Sequence, residues 1–181
     1  MTARATATKL GHSAPPLDLP DTEGARRSLP SRDEATASVV VWTCNHCPYA
    51  LAWHDRIVDV ARDYGPRGVR FFAVNSNDAE RYPNDSLAAM RERVRNEEWP
   101  FPYLHDESQE AAAAWAAQVT PHVYVVDRAG MIRYEGAPDG DHMDPELGAD
   151  WLREALDAVL AGETPPRPET EPVGCSIKWK Q

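Results

Sequence analysis

Cysteine is scarce in this chain of 181 residues, which holds three, at Cys44, Cys47 and Cys175. That is too few, and too unevenly spaced, for the disulfide framework of a small secreted domain, so the close pair points to chemistry or metal. Long apolar runs are missing too. The first residues carry Arg4 and Lys9 without a signal-like apolar stretch, and no later run approaches the ~20 residues of a membrane span. A cytoplasmic protein with no membrane partner is therefore expected. Positive charge is in deficit, 19 Lys and Arg against 29 Asp and Glu for a net charge of −10. This disfavours nucleic acid as a partner, because its phosphates would be repelled over most of the surface. Six tryptophans and six tyrosines supply bulky core material, and the length suffices to bury a core without crosslinks. One domain is expected over residues 1–181, with a flexible start at 1–12 and a Pro-rich tail at 163–181.

The chain then reads as alternating elements without an internal repeat. Leu17-Asp18-Leu19 and Ser28-Leu29 flank a Gly24 turn and predict a short hairpin. The β-branched run at 38–43, SVVVWT, suits a strand buried on both faces. From Pro48 to Tyr64 the apolar residues Tyr49, Trp53, Ile57, Val60, Ala61 and Tyr64 recur at helical spacing. His54, Asp55 and Arg56 fall on the solvent side, and Gly65-Pro66 ends the helix. A second buried strand at 69–77 completes a β-α-β unit, which favours a parallel pair.

Beyond it, Asn84 or Asp85 can cap a charged helical insertion near 83–98. Asp106 and Gln109 form a capping-box-like start for an alanine-rich helix ending near Gln118. HVYVVD and MIRYEG around the RAG turn predict a hairpin, which makes the sheet mixed. The last helix carries Leu147, Trp151, Leu152, Ala155, Leu156 and Val159 and stops at Gly162. The tail is too rich in proline to be helical but ends apolar, with Ile177 and Trp179, and is expected to pack back.

The chemistry centres on TCNHCP, residues 43–48. A thiol does redox work as thiolate, and a helix N-terminus favours that anion through unpaired N–H groups and the dipole. Cys44 ends the strand and Cys47 lies at the helix start, so the two sulfurs can join when oxidised and the second can resolve a mixed disulfide on the first. His46, as imidazolium, would stabilise the neighbouring thiolate. Zinc or cuprous ion held by the pair with His46, His54 or Cys175 is a rival use of the same residues, and inert buried thiols are another. No second C-x-x-C and no H-x-x-x-H completes a tetrahedral set, so no metal is expected.

LGHSAPPLDLPDTEG, VVVWTCNHCP, GVRFFAVNSND and the stretch from DESQE to RYEG resemble the thioredoxin superfamily, in its redoxin branch of TlpA/ResA-like thioredoxins and peroxiredoxins. TCNHCPY and the terminal GCSIKW resemble its peroxiredoxin-like thioredoxin family proteins. The resemblance spans about residues 10–180. It implies an α/β thioredoxin fold, with a central mixed sheet flanked by helices, an N-terminal hairpin extension, a helical insertion and a packed C-terminal tail. It also implies a thiol-disulfide oxidoreductase with Cys44 attacking and Cys47 resolving. Thr120 and Pro121 would form a cis-proline loop that docks an extended substrate. Trp42, which flanks the dithiol in sequence, is a candidate substrate contact, the alternative being core. Disulfides of proteins or small molecules would be the substrates, a thiol would donate electrons, and no cofactor beyond the disulfide is implied. Cys175 is a candidate third redox thiol, the alternative being a small buried hydrophobe. His122, next to the proline, is a further candidate for the site.

The chain departs from the pattern of thioredoxins proper in three places. Thr43 replaces a tryptophan, Asn45-His46 replaces Gly-Pro, and Ser38 replaces a buried aspartate that assists proton transfer. It departs from peroxiredoxins as well. With Cys47 as the peroxide-reacting residue, Cys44 and Val40 stand where a hydroxyl and a proline belong, which disfavours fast peroxide reduction by that route.

Overall fold

The structure, a computed structural model, describes residues 9–181. The expected hairpin is formed by β1 (Asp18–Pro20) and β2 (Arg26–Ser28), paired antiparallel. Its turn is tied by the Asp21 carboxylate, which accepts hydrogen bonds from the Glu23 and Ala25 N–H groups and from Arg27. The central sheet contains β3 (Ala37–Trp42), β4 (Val69–Asn75), β5 (Tyr103–His105), β7 (His122–Asp127) and β8 (Ile132–Gly136). Their order across the sheet is β5-β4-β3-β7-β8. β3, β4 and β5 run parallel, while β7 is antiparallel to both β3 and β8, so the sheet is mixed. A separate pair joins β6 (Val119–Thr120) to β9 (Cys175–Ser176).

The side-chain alternation of β3 builds two cores. Val39 and Val41 face α1 (Pro48–Tyr64), with Trp53, Ile57, Val60 and Tyr64, and α4 (Asp150–Leu160), with Leu152 and Leu156. Val40 and Trp42 face the other way, onto Leu17, Tyr124, Ile177 and the Trp115 of α3 (Glu110–Trp115). Both faces are thus covered, which is why the run is apolar throughout. α1 is fastened to the segment before α4 by Asp139, whose carboxylate accepts from Trp53 Nε1 at 2.7 Å, Arg56 at 2.8 Å and Ala149 N–H at 2.9 Å. Truncating such a buried, fully paired carboxylate costs about 3–5 kcal/mol.

Several expectations need correction. His54 and Arg56 are not on a solvated face. His54 stacks against Trp99 with ring centroids 4.4 Å apart, and burial lowers its pKa to about 4. The insertion helix, α2 (Leu87–Glu97), is capped by Ser86, which accepts from Ala89 N–H, and not by Asn84 or Asp85. α3 ends at Trp115, where Ala116 turns left-handed, rather than at Gln118. Asp106 caps α3 through the Ala111 and Ala112 N–H groups, but the Gln109 side chain reaches the tail instead of closing a box. Leu147 precedes α4.

The tail packs back as expected. Ile177 is buried, Asp78 N–H donates to the Lys178 carbonyl, and Lys178 N–H donates to Asn77 Oδ1. Of the start expected to be flexible, residues 1–8 lie outside the described residues. Gly11 and His12 are fixed to β8 by hydrogen bonds to Ile132, each 2.9 Å. Among the described residues no helix is long and apolar enough to cross a membrane.

Candidate active site around Cys44 and Cys47

Cys44 leaves β3 two residues after Trp42, and Cys47 is the N-cap of α1, with Pro48 in the first turn. Pro48 fits there because its missing N–H would be unsatisfied in any case. Both cysteines are sealed from solvent, at 1% and 0% exposure, and all three cysteines are free thiols. Thr120 faces the pair from the far side, and its bond to Pro121 is cis. The Thr120 hydroxyl lies 3.4 Å from Cys44 Sγ, and the Cys47 thiol donates to the Thr120 carbonyl at 3.0 Å. The expected meeting of the dithiol with the cis-proline segment is therefore present.

The floor of the site comes from a part of the chain that the sequence reading assigned to helix capping. Asp85, in a 3-10 turn at Pro83–Asp85, is fully buried. Its carboxylate accepts from Asn45 N–H at 2.7 Å, Asn75 Nδ2 at 3.1 Å and Asn77 Nδ2 at 2.9 Å. His46 Nδ1 lies 2.6 Å from the second Asp85 oxygen, close enough for an ion pair but out of line for a straight hydrogen bond. The His46 ring stacks on Tyr82. Arg93 of α2 donates to the Cys44 carbonyl at 3.0 Å, and the Tyr103 hydroxyl donates to Asn45 Oδ1 at 3.0 Å. The buried carboxylate missing at Ser38 is thus supplied from another direction. Asp85, Arg93 and Tyr103 are site residues that sequence reasoning missed. For Asp85 the sequence signal is the density of Asn and Asp around 75–85, and Arg93 and Tyr103 carry none.

Charge at the pair is divided unequally. Cys44 is pushed above the ordinary thiol value, by its hydrogen bond to Cys47 first, then by burial and by the negative charge of Asp85. Two influences compete at Cys47. The neighbouring Cys44 foremost, with Thr120, the Ala50 N–H and Cys175, favours the thiolate, while burial and the bond to the Thr120 carbonyl favour the thiol. With the α1 dipole added, Cys47 is held below the ordinary value. The pair gives up one proton readily and the second with difficulty.

Two other candidates fall outside the site. Trp42, expected to contact substrate, is fully enclosed between Trp115 and Tyr124, and its Nε1 donates to Ser76. It is core because the even residues of β3 face the second cluster. His122 shares that face. Its Nδ1 accepts from Gln118 N–H at 3.2 Å, and burial lowers its pKa to about 3, so the ring is neutral. Cys175, by contrast, packs against Cys44 and Cys47.

For a cation, Cys44, His46 and Asp85 offer ligand atoms within 4.8 Å of one another, a set without His54 or Cys175. Three N–H donors already occupy the Asp85 oxygens, two on Oδ1 and one on Oδ2.

Comparison with known proteins agrees with this geometry. An uncharacterised conserved protein from Geobacillus kaustophilus is 40% identical, with 94% of this chain and 92% of that chain covered and a TM-score of 0.89. A hypothetical protein from Sinorhizobium meliloti 1021 is 32% identical over 97% of each chain, with a TM-score of 0.90. A putative thiol:disulfide interchange protein DsbE from Chlorobium tepidum shares the fold at 16% identity, with 85% and 99% coverage and a TM-score of 0.68. A search of curated proteins gave no match. These likenesses show the thioredoxin fold, and the AhpC/TSA family profile, which matches residues 10–135, supports an oxidoreductase type of activity. The chain belongs to the AhpC/TSA family.

Proposed function

We propose that the protein is a thiol-disulfide oxidoreductase whose redox couple is Cys44 and Cys47. The observation that carries this reading is the convergence of both sulfurs on Thr120 at the start of α1, 3.4 and 3.0 Å from its oxygens. The thiolate of the reduced pair displaces one sulfur of a disulfide as thiolate, and the pair's other sulfur then attacks the mixed disulfide, releasing the second sulfur and closing the Cys44–Cys47 bond. Two electrons pass to the substrate. The departing thiolates take one proton from the pair and one from solvent. A thiol donor, as a reducing cytoplasm supplies, runs the sequence backwards. His46 Nδ1, 2.6 Å from the Asp85 carboxylate and in one cluster with Cys44, places an imidazole beside the pair. Protein or small-molecule disulfides are the substrate class, and the disulfide itself is the only redox group required.

Insulin reduction with dithiothreitol as donor tests the reading. Cys44→Ser and Cys47→Ser are expected to fall to the uncatalysed rate, and wild-type activity in either rejects it. A peroxidase reading is favoured by the AhpC/TSA family match and by a thiolate-prone Cys47 at a helix start, and Val40 and Cys44 stand against it. Disulfide formation within seconds of adding stoichiometric hydrogen peroxide to the reduced protein would promote it.

A further inference from the structure

Cys175 differs from the other two cysteines in being only half-buried. It stands in β9 directly opposite Thr120, its antiparallel pairing partner. Thr120 also contacts both other sulfurs, so one residue assembles three thiols. Cys175 packs against the Cys44–Cys47 cluster. The strand that carries it is held on both sides. Ile177 N–H donates to the Gln118 carbonyl at 3.1 Å, and Gly174 passes so close to Thr120 that a Cβ there would stand 2.1 Å from its carbonyl oxygen. An external thiol or disulfide that cannot reach the sealed pair meets Cys175 first.

We propose, building on the exchange reading above, that Cys175 is the third sulfur of the redox centre, through which external thiols and disulfides exchange with the buried pair. The disulfide is stored as Cys44–Cys47 and presented near the surface as Cys47–Cys175. In the oxidised protein the Cys175 thiolate attacks Cys47 Sγ. The Cys44–Cys47 bond breaks, Cys44 leaves as thiolate and takes a proton, and Cys47–Cys175 forms, with no net oxidation. A dithiol donor then attacks Cys175 Sγ, releasing the Cys47 thiolate. The donor's second thiol cleaves the resulting mixed disulfide and frees Cys175. The donor has lost two electrons, which now reside on Cys47 and Cys175. A disulfide substrate reverses each step.

The electrostatics make this order self-timing. The Cys175 thiol is pushed up to about 11, by burial first and then by the hydrogen bond and charge of Cys47. Once Cys47 is tied into a disulfide those two contributions vanish, so Cys175 ionises more readily when there is a disulfide beside it to attack.

Stoichiometric diamide oxidation followed by non-reducing peptide mapping tests the relay in wild type, Cys44→Ser and Cys175→Ser, with thermal unfolding to verify that each folds. Cys44→Ser is expected to form an intramolecular Cys47–Cys175 disulfide. Cys175→Ser is expected to keep a Cys44–Cys47 disulfide that dithiothreitol reduces about ten-fold more slowly than in wild type. If Cys44→Ser forms no Cys47–Cys175 bond, or if the Cys175→Ser disulfide is reduced as fast as the wild-type one, the relay is wrong and the exchange reading stands. If wild type forms no disulfide among these three cysteines, the exchange reading itself is wrong.

Discussion

Replacing Gly174 with alanine measures how firmly the tail is held over the site. The added Cβ would lie 2.1 Å from the Thr120 carbonyl oxygen and 2.6 Å from its carbonyl carbon, far inside van der Waals contact. Gly174 does not occupy the left-handed region, so alanine meets no torsional penalty and the clash is the whole effect. The obstacle is backbone in the Thr120–Pro121 unit, which is paired with β9 itself, so the strain is relieved by moving the tail. Overpacking of this kind costs about 1–3 kcal/mol. For a chain of this length each kcal/mol lowers the melting temperature by about 2–4 °C, which gives a fall of about 2–12 °C. Differential scanning calorimetry reads it. Iodoacetamide labelling of Cys175 should accelerate in parallel as the strand lifts. Gly65→Ala is the control, since a Cβ there meets nothing within 4 Å and the change should be neutral or stabilising by about 0.4–1 kcal/mol. A Gly174→Ala protein that melts within a degree of wild type, with unchanged Cys175 labelling, would refute the close approach of the tail.

Asp85→Asn removes the negative charge that helps push Cys44 up, while its remaining oxygen can still accept from Asn45 N–H. The second ionisation of the pair, followed by thiolate absorbance at 240 nm, should move to lower pH, and a move to higher pH would contradict the charge assignment. Stability should fall by about 1–3 kcal/mol, because an amide nitrogen then faces Asn77 Nδ2. His122 is held at about 3 by burial, so between there and about 6.5 the unfolded chain binds a proton that the folded protein refuses. Stability present above pH 6.5 is therefore lost as the pH falls toward 3, by up to about 4–5 kcal/mol. His122→Asn keeps an acceptor for Gln118 N–H and should flatten the acid limb of urea-midpoint measurements between pH 7.5 and 4.5. An equal slope in both proteins would assign the acid sensitivity elsewhere.

The elements legible in the sequence are those specified by local pattern. α1 runs from Pro48 to Tyr64 as the spacing and the Gly65-Pro66 stop indicate, and β3 is buried throughout, as its β-branched run indicates. Which face of β3 met the site was not legible. A strand apolar on both sides carries no mark that separates the face with Trp42 from the face with Val41, and only the packing of Trp115 and Tyr124 decides it. The dithiol and the Thr120-Pro121 loop were visible as motifs, whereas Asp85 was misread. An aspartate just before a helix follows the local capping rule, but the Asn45, Asn75 and Asn77 donors that draw it inward come from two other segments. His54 was misplaced for the same reason. Its position on the helical wheel is polar, and Trp99, more than forty residues away, covers it.

The pairing of β9 with β6 has a consequence for how the protein is made. The chain is synthesised from its N-terminus, so every strand of the sheet and the complete CNHC segment emerge before Cys175 does. A nascent molecule at that stage has its two inner sulfurs without their cover, open to whatever oxidant the surroundings hold. Closure of the centre therefore waits for residues 175–181, the stretch that carries β9.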